Sequence, residues 1–426
     1  MKRSRSAVAA IGLTALMMSM TACSQQSTSA PAEIEFWGWA PGQEKAVEAY
    51  NASHSNVTVK YQEVAPGAKG GYEKMLNAVK AGNAPCLAQV GYETLPSFVA
   101  QGALEDISAL ASPASGEFLP AAWSAASVEG AVYGAPVDVG PMALFYNKEL
   151  FDSLGLAAPT TWQEYRAAGE KIKASDPAKS LSSPYLDYDY AGLAWQAEAN
   201  WFSISGSAWD VSFTSPANEK VGDYWQGLVN DGLISETPMY DQAWFTKLGN
   251  GEIATVVGAA WQASVISGGA ADGAGKWAVA PMPQWEAGEN SVGNAGGSAT
   301  AVMKGCASKD AAWDFAHWMS TDDKAFGGLI ETAGFYPAAT GLASLPQLTT
   351  PSDYFGGQRV YEVFAEAAPQ VNPGWVWGPT MTQTVTDLND GLGGAWSGTS
   401  TFEAALASTQ KKTIDALTAQ NIAVTD

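Results

Sequence analysis

Three short strand-like runs, separated by two helical ones, constrain this chain most. Ile34-Glu35-Phe36-Trp37 alternates as a half-buried strand does and ends in the loop Gly38-Trp39-Ala40-Pro41-Gly42. Residues 43–53 then read as a helix with Ala46, Val47 and Tyr50 on one side, and Val57–Tyr61 alternates again. Tyr72, Met75, Leu76 and Val79 fall at helical spacing, with Gly82 as the stop. Cys86–Val90 gives a third short strand, followed by Gly91-Tyr92-Glu93. Strand, helix, strand, helix, strand predicts an α/β fold with a parallel sheet, whose ligands sit at the carboxyl ends of the strands. Trp39, Tyr92 and Glu93 occupy that position.

Residues 130–151, GAVYGAPVDVGPMALFYNKELF, read as a strand that leaves one unit and enters another. Two short runs of apolar and small residues, Val132–Val139 and Met142–Tyr146, flank Gly140-Pro141. That pair is expected to break a regular ladder, because Pro141 donates no N–H and Gly140 tolerates unusual φ and ψ. Asp138, just before the break, is a carboxylate in an apolar run. It is either a surface turn residue or a ligand contact.

A chain of 426 residues exceeds one comfortable core, so two domains are expected. The 46% apolar content excludes global disorder. With 22 basic and 43 acidic residues the net charge is −21. Such a surface repels phosphate backbones and anionic headgroups, which argues against nucleic-acid partners and polybasic membrane contacts. The 17 Trp are unusual, since each indole N–H needs a partner, and a surplus often marks aromatic recognition surfaces.

Residues 1–23 have a basic start, an apolar run from Ala7 to Met20 and small residues before Cys23. This predicts a secretory signal, too short for a membrane span. Met20-Thr21-Ala22-Cys23 resembles a bacterial lipobox, in which the Cys is diacylated; Leu is more usual where Met20 stands. Residues 24–32 are polar and small, as a tether requires. The expected location is extracytoplasmic, with a membrane anchor through the N-terminal lipid only.

Cys86 and Cys306 remain, and export favours a bond between them, with two buried free thiols as the alternative. A bridge requires the chain to return to its first unit after residue 300. With His54 and His317 as the only histidines, no zinc site is expected, and no cofactor either.

Further on, Thr161-Trp162-Gln163-Glu164 is a capping box. Residues 185–210 are dense in aromatics, including Tyr188 and Trp201. Ala254–Gly258 is a buried strand leading to Trp261. Trp277–Pro283 is another, and Gly293–Ser298 is a glycine-rich entry to the strand Ala299–Met303. A helix begins at Ser308, Gly374–Pro379 is an aromatic loop, and a last helix covers roughly 401–420 with Phe402, Leu406, Thr413 and Leu417 aligned.

Taken together, the lipobox, FWGWAPG, VYGAPVDVGPMALFYNKELF, PTTWQEY, the strand ending in Trp261, GGSATAVMKGCASKDAAWDFAHWMS and GFYPA resemble the extracellular solute-binding proteins of ABC importers. The likeness is to the sugar-binding group that includes maltose-binding protein. YNKELF, PTTWQE and AAWDFAHWMS carry it in combination, and it covers most of the mature chain. It implies a periplasmic-binding-protein-like fold of two α/β lobes with several crossings and a cleft between them. The first lobe would hold residues 33–138 and 294–337, the second 146–290 and 345–426, with Gly140-Pro141 near the hinge. Cys86 and Cys306 would then share the first lobe, and a bridge would staple early and late parts of one sheet.

The function implied is capture of an oligosaccharide by lobe closure and its delivery to ABC permease subunits. Aromatic rings cover the apolar faces of a sugar while carboxylates and amides meet its hydroxyls. The expected contacts are Trp39, Tyr92, Glu93 and Asp138 from the first lobe, Trp201, Trp261 and Trp375 from the second, and the backbone of Gly296-Gly297. Trp37 is expected in the core, and only one of Trp375 and Trp377 in the cleft. A non-sugar solute, such as a phosphorylated polyol or a peptide, is the first alternative. The loops FWGWAPG, QVGYETLP, GAAWQAS, NAGGSA and PGWVWGP contain no Arg or Lys for a phosphate. A glycoside hydrolase using Glu93 and Asp138 is the second. Ser-His-Asp chemistry does not fit His54 or His317.

Overall fold

A computed structural model describes residues 32–206 and 208–425. The signal segment, the lipobox at Cys23 and the tether lie outside the described residues, save Ala32. That residue opens the first strand rather than closing the tether.

The strands are β1 (Ala32–Gly38), β2 (Val57–Glu63), β3 (Leu87–Gly91), β4 (Ser127–Val128), β5 (Ala131–Val132) and β6 (Gly134–Asn147). They continue with β7 (Phe202–Ser205), β8 (Ala208–Val211), β9 (Thr255–Ala259), β10 (Trp277–Pro281), β11 (Asn294–Val302) and β12 (Tyr336–Pro337). β1 pairs in parallel with β2 and β3, separated in sequence by the helices Gln43–Ser53 and Gly71–Ala81. Ala46, Val47 and Tyr50 are buried, and Gly82 caps the second helix at φ 73°. That arrangement follows the sequence pattern. Beyond β3 the sheet becomes mixed, since β11 pairs antiparallel to both β3 and β6.

β6 joins two parts of the sheet. Its first half lies between β11 and β12, and its second half, Met142–Tyr146, lies between β9 and β10. The expected break at Gly140-Pro141 does not occur, for two reasons. The Gly140 N–H donates to Asn294 Oδ1 (2.9 Å) and the Met142 N–H to the Gly293 carbonyl (2.9 Å). Pro141, with no N–H to satisfy, falls between these two bonds, where its partner strands change. A Cβ at Gly140 would stand 1.9 Å from the Ala295 carbonyl oxygen, so only glycine lets the two strands approach here.

β11 starts earlier than expected. Asn294 is already in the strand, and the ladder shifts register between Asn294 and Gly297 and again after Ser298. Gly296 and Gly297 take φ of 77° and 95°, a bulge that re-aims the backbone rather than a loop leading into the strand. Cys86 and Cys306 are joined by a disulfide with their Cα atoms 4.6 Å apart, one just before β3 and the other just after its neighbour β11.

The helix Trp162–Ser175 begins as expected, with the Thr161 hydroxyl accepting from the Glu164 N–H. The reciprocal half of the box is displaced by one residue. Glu164 Oε2 accepts from the N–H and hydroxyl of Thr160. Ser308 precedes the helix Lys309–Thr321, which buries Ala312, Phe315, Ala316 and Met319. The final helix is Phe402–Ala419. Most of the indole surplus serves packing: Trp201, Trp225, Trp244 and Trp277 are among the largest fully buried side chains. Among the described residues no helix is long and apolar enough to cross a membrane.

Candidate functional site

A cavity of about 500 Å³ opens at the carboxyl ends of β1 and β3. Its floor is a chain of hydrogen bonds across neighbouring strands. Gln89 Oε1 accepts from the N–H groups of Trp39 (3.2 Å) and Ala40 (3.3 Å), which holds the loop after β1. Gln89 Nε2 donates to Ser298 Oγ (3.3 Å), and Ser298 Oγ donates to Asp138 Oδ1 (2.8 Å). Asp138 and Ser298 are register partners on β6 and β11, so the sheet itself sets this contact. Asp138 is only 2% exposed, and burial raises its carboxyl to about 7 despite the bonds from Ser298.

Glu93 follows β3 and accepts from the Tyr72 hydroxyl (2.9 Å) and from Thr94 Oγ1 (3.2 Å). Burial raises its pKa, and those two bonds oppose the rise. Trp39 meets Tyr72 edge to face at 5.7 Å. Gly297 allows Tyr92 to pack beneath the bulge: a Cβ there would come within 2.7 Å of the Tyr92 ring.

The facing wall comes from the start of the helix Asp187–Gln196, the loop holding Pro238, Met239 and Tyr240, and Trp261 after β9. Trp261 Nε1 donates to the Ala295 carbonyl at 3.0 Å, which fixes its ring beside the bulge. Tyr188 and Tyr240 each lie 6.1 Å from that ring, at interplanar angles of 76° and 33°. Asp187 exchanges hydrogen bonds with Asn389, its N–H donating to Asn389 Oδ1 at 2.9 Å. Asp189 accepts from the Tyr240 hydroxyl at 2.7 Å, and burial raises its carboxyl to about 7. Asp187 and Tyr240 both have positive φ, 48° and 70°, a strained backbone that concentrates at functional positions.

Of the residues expected at the site, Trp39, Glu93, Asp138, Trp261, Gly296 and Gly297 line this one cavity. Tyr92 lies just behind it, buried against Gly297. Trp201 and Trp375 do not reach it. Trp201 is fully buried, donates from Nε1 to Asn218 Oδ1 (3.1 Å) and stacks on Phe213 at 4.8 Å. Trp375 stacks on Trp195 at 5.0 Å. It shares a second, smaller cavity of about 260 Å³ with Trp377, Pro96 and Glu129. Both Trp375 and Trp377 line this second gap, rather than one of them alone, and Pro96 and Glu129 bound it on one side with Trp209 on the other. Trp37 is in the core, with the Lys74 ammonium 4.4 Å from its ring centroid.

Sequence reasoning missed Gln89, Asp187, Asp189, Tyr240 and Lys69. The alternation Asp187-Tyr188-Asp189 just after Pro184 was a usable signal, an acidic helix start inside an aromatic segment. Tyr240 gave none, because its position depends on a left-handed backbone that favours glycine. Lys69 is a basic residue among those lining the cavity, brought there by the turn Gly67–Lys69 in the loop after β2. It shares the lining with Glu93, Asp138, Asp187 and Asp189. Among the described residues no group of three or more His, Cys, Asp or Glu is arranged to hold a metal ion.

The profile of the bacterial extracellular solute-binding protein family matches residues 40–325. The arabinooligosaccharide-binding protein of Halalkalibacterium halodurans is 25% identical over 357 residues, covering 80% of this chain and 79% of that one. Two solved structures are also similar. One is the ABC-transporter-associated binding protein of B. animalis subsp. lactis Bl-04 in complex with β-1,6-galactobiose, 29% identical with a TM-score of 0.80. The other is the galacto-N-biose/lacto-N-biose I-binding protein of Bifidobacterium longum in complex with lacto-N-biose, 27% identical with a TM-score of 0.84. Each comparison covers 93% of this chain and 100% of the other.

Proposed function

We propose that this chain, which belongs to the family of bacterial extracellular solute-binding proteins, captures a neutral oligosaccharide and delivers it to the permease of an ABC importer. The observation that carries this reading is the composition of the cavity. The acidic residues Glu93, Asp138, Asp187 and Asp189 and the aromatic residues Trp39, Tyr188, Tyr240 and Trp261 line one space. Carboxylates accept from hydroxyls, and rings cover the C–H faces of pyranose or furanose units. A phosphorylated solute would face four acidic groups with Lys69 as its counter-charge, so the electrostatics favour an uncharged ligand.

Trp39, Glu93, Asp138, Trp261 and the Gly296-Gly297 backbone act as ligand contacts, with Tyr92 supporting the bulge. In this reading the β1–β3 part and the β9–β10 part of the sheet belong to two lobes that close over the sugar, β6 being one crossing between them. Residues 33–138 and 294–337 form one lobe, 146–290 and 345–426 the other. The protein works outside the cytoplasm, tethered by a lipid on Cys23 through residues 24–32. Binding without turnover is the expected chemistry, and the relatives described above are binding proteins.

The test is a calorimetric and Trp-fluorescence titration against β-1,6-galactobiose, lacto-N-biose, lactose and an arabinooligosaccharide. Saturable binding of at least one, with its products unchanged by chromatography after incubation, supports the reading. Binding of none overturns it, and cleavage would make the protein a hydrolase.

A further inference from the structure

The polar groups on the facing wall are not all satisfied. Asp189 is 2% exposed and lines the cavity. Its Oδ2 accepts from the Tyr240 hydroxyl at 2.7 Å, while its Oδ1 is buried with no hydrogen-bond partner. The Tyr240 oxygen in turn accepts from Gln262 Nε2 at 2.6 Å. Tyr240 itself is held at φ 70°, with 39% of its surface exposed and its ring 5.4 Å from that of Trp244. A non-glycine residue in that conformation persists only where surrounding contacts over-determine it. Here those contacts are the two hydrogen bonds at its hydroxyl and the packing of its ring.

Buried acceptors left unpaired are rare, and they call for an explanation such as an unbound ligand. Asp138, on the floor, already has its Oδ1 engaged by Ser298. On the opposite wall Asp187 is engaged by Asn389. Glu93 likewise has Oε1 engaged, by Tyr72 and Thr94, so what sets Asp189 apart is that, among the described residues, its Oδ1 is the carboxylate oxygen buried without a partner while its other oxygen is fixed in direction.

We propose that Asp189 is the polar anchor of this wall, taking one ligand hydroxyl on Oδ1, and that Tyr240 is the positioning residue that aims it. The inference rests on the saccharide reading and deepens it. It means that one hydroxyl of the bound sugar is read by a carboxylate whose second oxygen is pinned from behind. A sugar whose hydroxyl at that position is missing or inverted leaves Oδ1 unpaired on closure, which is a strong basis for discrimination.

Asp189→Asn keeps an oxygen for the Tyr240 hydroxyl and replaces the free carboxylate oxygen with an amide N–H group. Tyr240→Phe keeps the ring and removes the pin. Both variants and their combination are titrated with β-1,6-galactobiose and its monodeoxy analogues, or with whichever sugar of the panel above binds tightest, after thermal melts establish that each is folded. Asp189→Asn is expected to bind roughly 10- to 100-fold more weakly, and Tyr240→Phe roughly 3- to 10-fold. Tyr240→Phe should add nothing in the Asp189→Asn background. One monodeoxy analogue should bind the wild type much more weakly than the parent sugar, yet bind both variants nearly as well as the parent does. That loss of discrimination is not produced by a merely structural role. Unchanged affinity in Asp189→Asn, or the same monodeoxy pattern in all proteins, overturns the inference while leaving the saccharide reading in place. If the wild type binds no saccharide, the reading and the inference fall together.

Discussion

Asp138 shows what single residues contribute and what they conceal. Its place before Gly140-Pro141 was legible in the sequence, but its burial depends on Ser298, 160 positions away, and on Gln89 beyond that. No local pattern encodes such a chain. Asp138→Ala is expected to weaken saccharide binding roughly 10- to 100-fold while a melt stays cooperative. Loss of the folded state instead would make Asp138 structural. Burial also sets a pH dependence. Asp138 and Asp189 titrate at about 7 in the folded protein against an ordinary value near 4, so between those limits the folded state holds protons that the unfolded chain has released. Their contribution to stability is complete below about pH 4 and falls as pH rises, by up to roughly 1.4 kcal/mol per unit per group, levelling off above about 7. Without ligand, the wild type should lose more stability between pH 5 and 7.5 than the variant carrying both Asp138→Asn and Asp189→Asn. Parallel urea-unfolding profiles for the two would sink this account.

Among the elements, β6 and β11 were read half correctly. The apolar runs of β6 predicted a crossing, and its Gly-Pro pair suggested a break. Asn294 removes the break by bonding the Gly140 N–H with its side chain, and nothing in the sequence of β6 announces that. Gly140→Ala should therefore do more than restrict φ. Its methyl would meet the Ala295 carbonyl at the point where β11 enters the sheet. A loss of roughly 1–3 kcal/mol is expected from denaturant melts, with weakened ligand binding because Ala295 also holds the Trp261 indole. A neutral Gly140→Ala would mean that β11 can move away freely. The Trp375 loop shows a different limit: its alternation marked an aromatic surface, and the indoles of Trp195 and Trp201 pack against Trp375 there. Spacing along a loop says which rings share a side, not which partner lies on that side.

For the molecule as a whole, the strand-helix alternation and the motif order were enough for the fold class. The cavity was legible mainly on the wall built from β1, β3, β6 and β11, whose residues follow or interrupt recognisable strands. The opposite wall depends on Asp187, Asp189 and Tyr240, which come together only through the tertiary fold. One covalent feature spans both. The Cys86–Cys306 bond closes a ring of chain that contains β3 through β11 and, with them, Asp138, Asp189, Tyr240 and Trp261. A protease working outside the cytoplasm that cut this ring once would open a loop without releasing a fragment. Limited digestion is expected to yield a product that runs as one species on a non-reducing gel and as two after reduction. That nicked product should still bind sugar until a thiol is added. If instead a cut within 87–305 frees a fragment without reductant, the two cysteines do not hold the ring closed. The bridge would then act less as a brace for the fold than as insurance for a cleft exposed to hydrolytic surroundings.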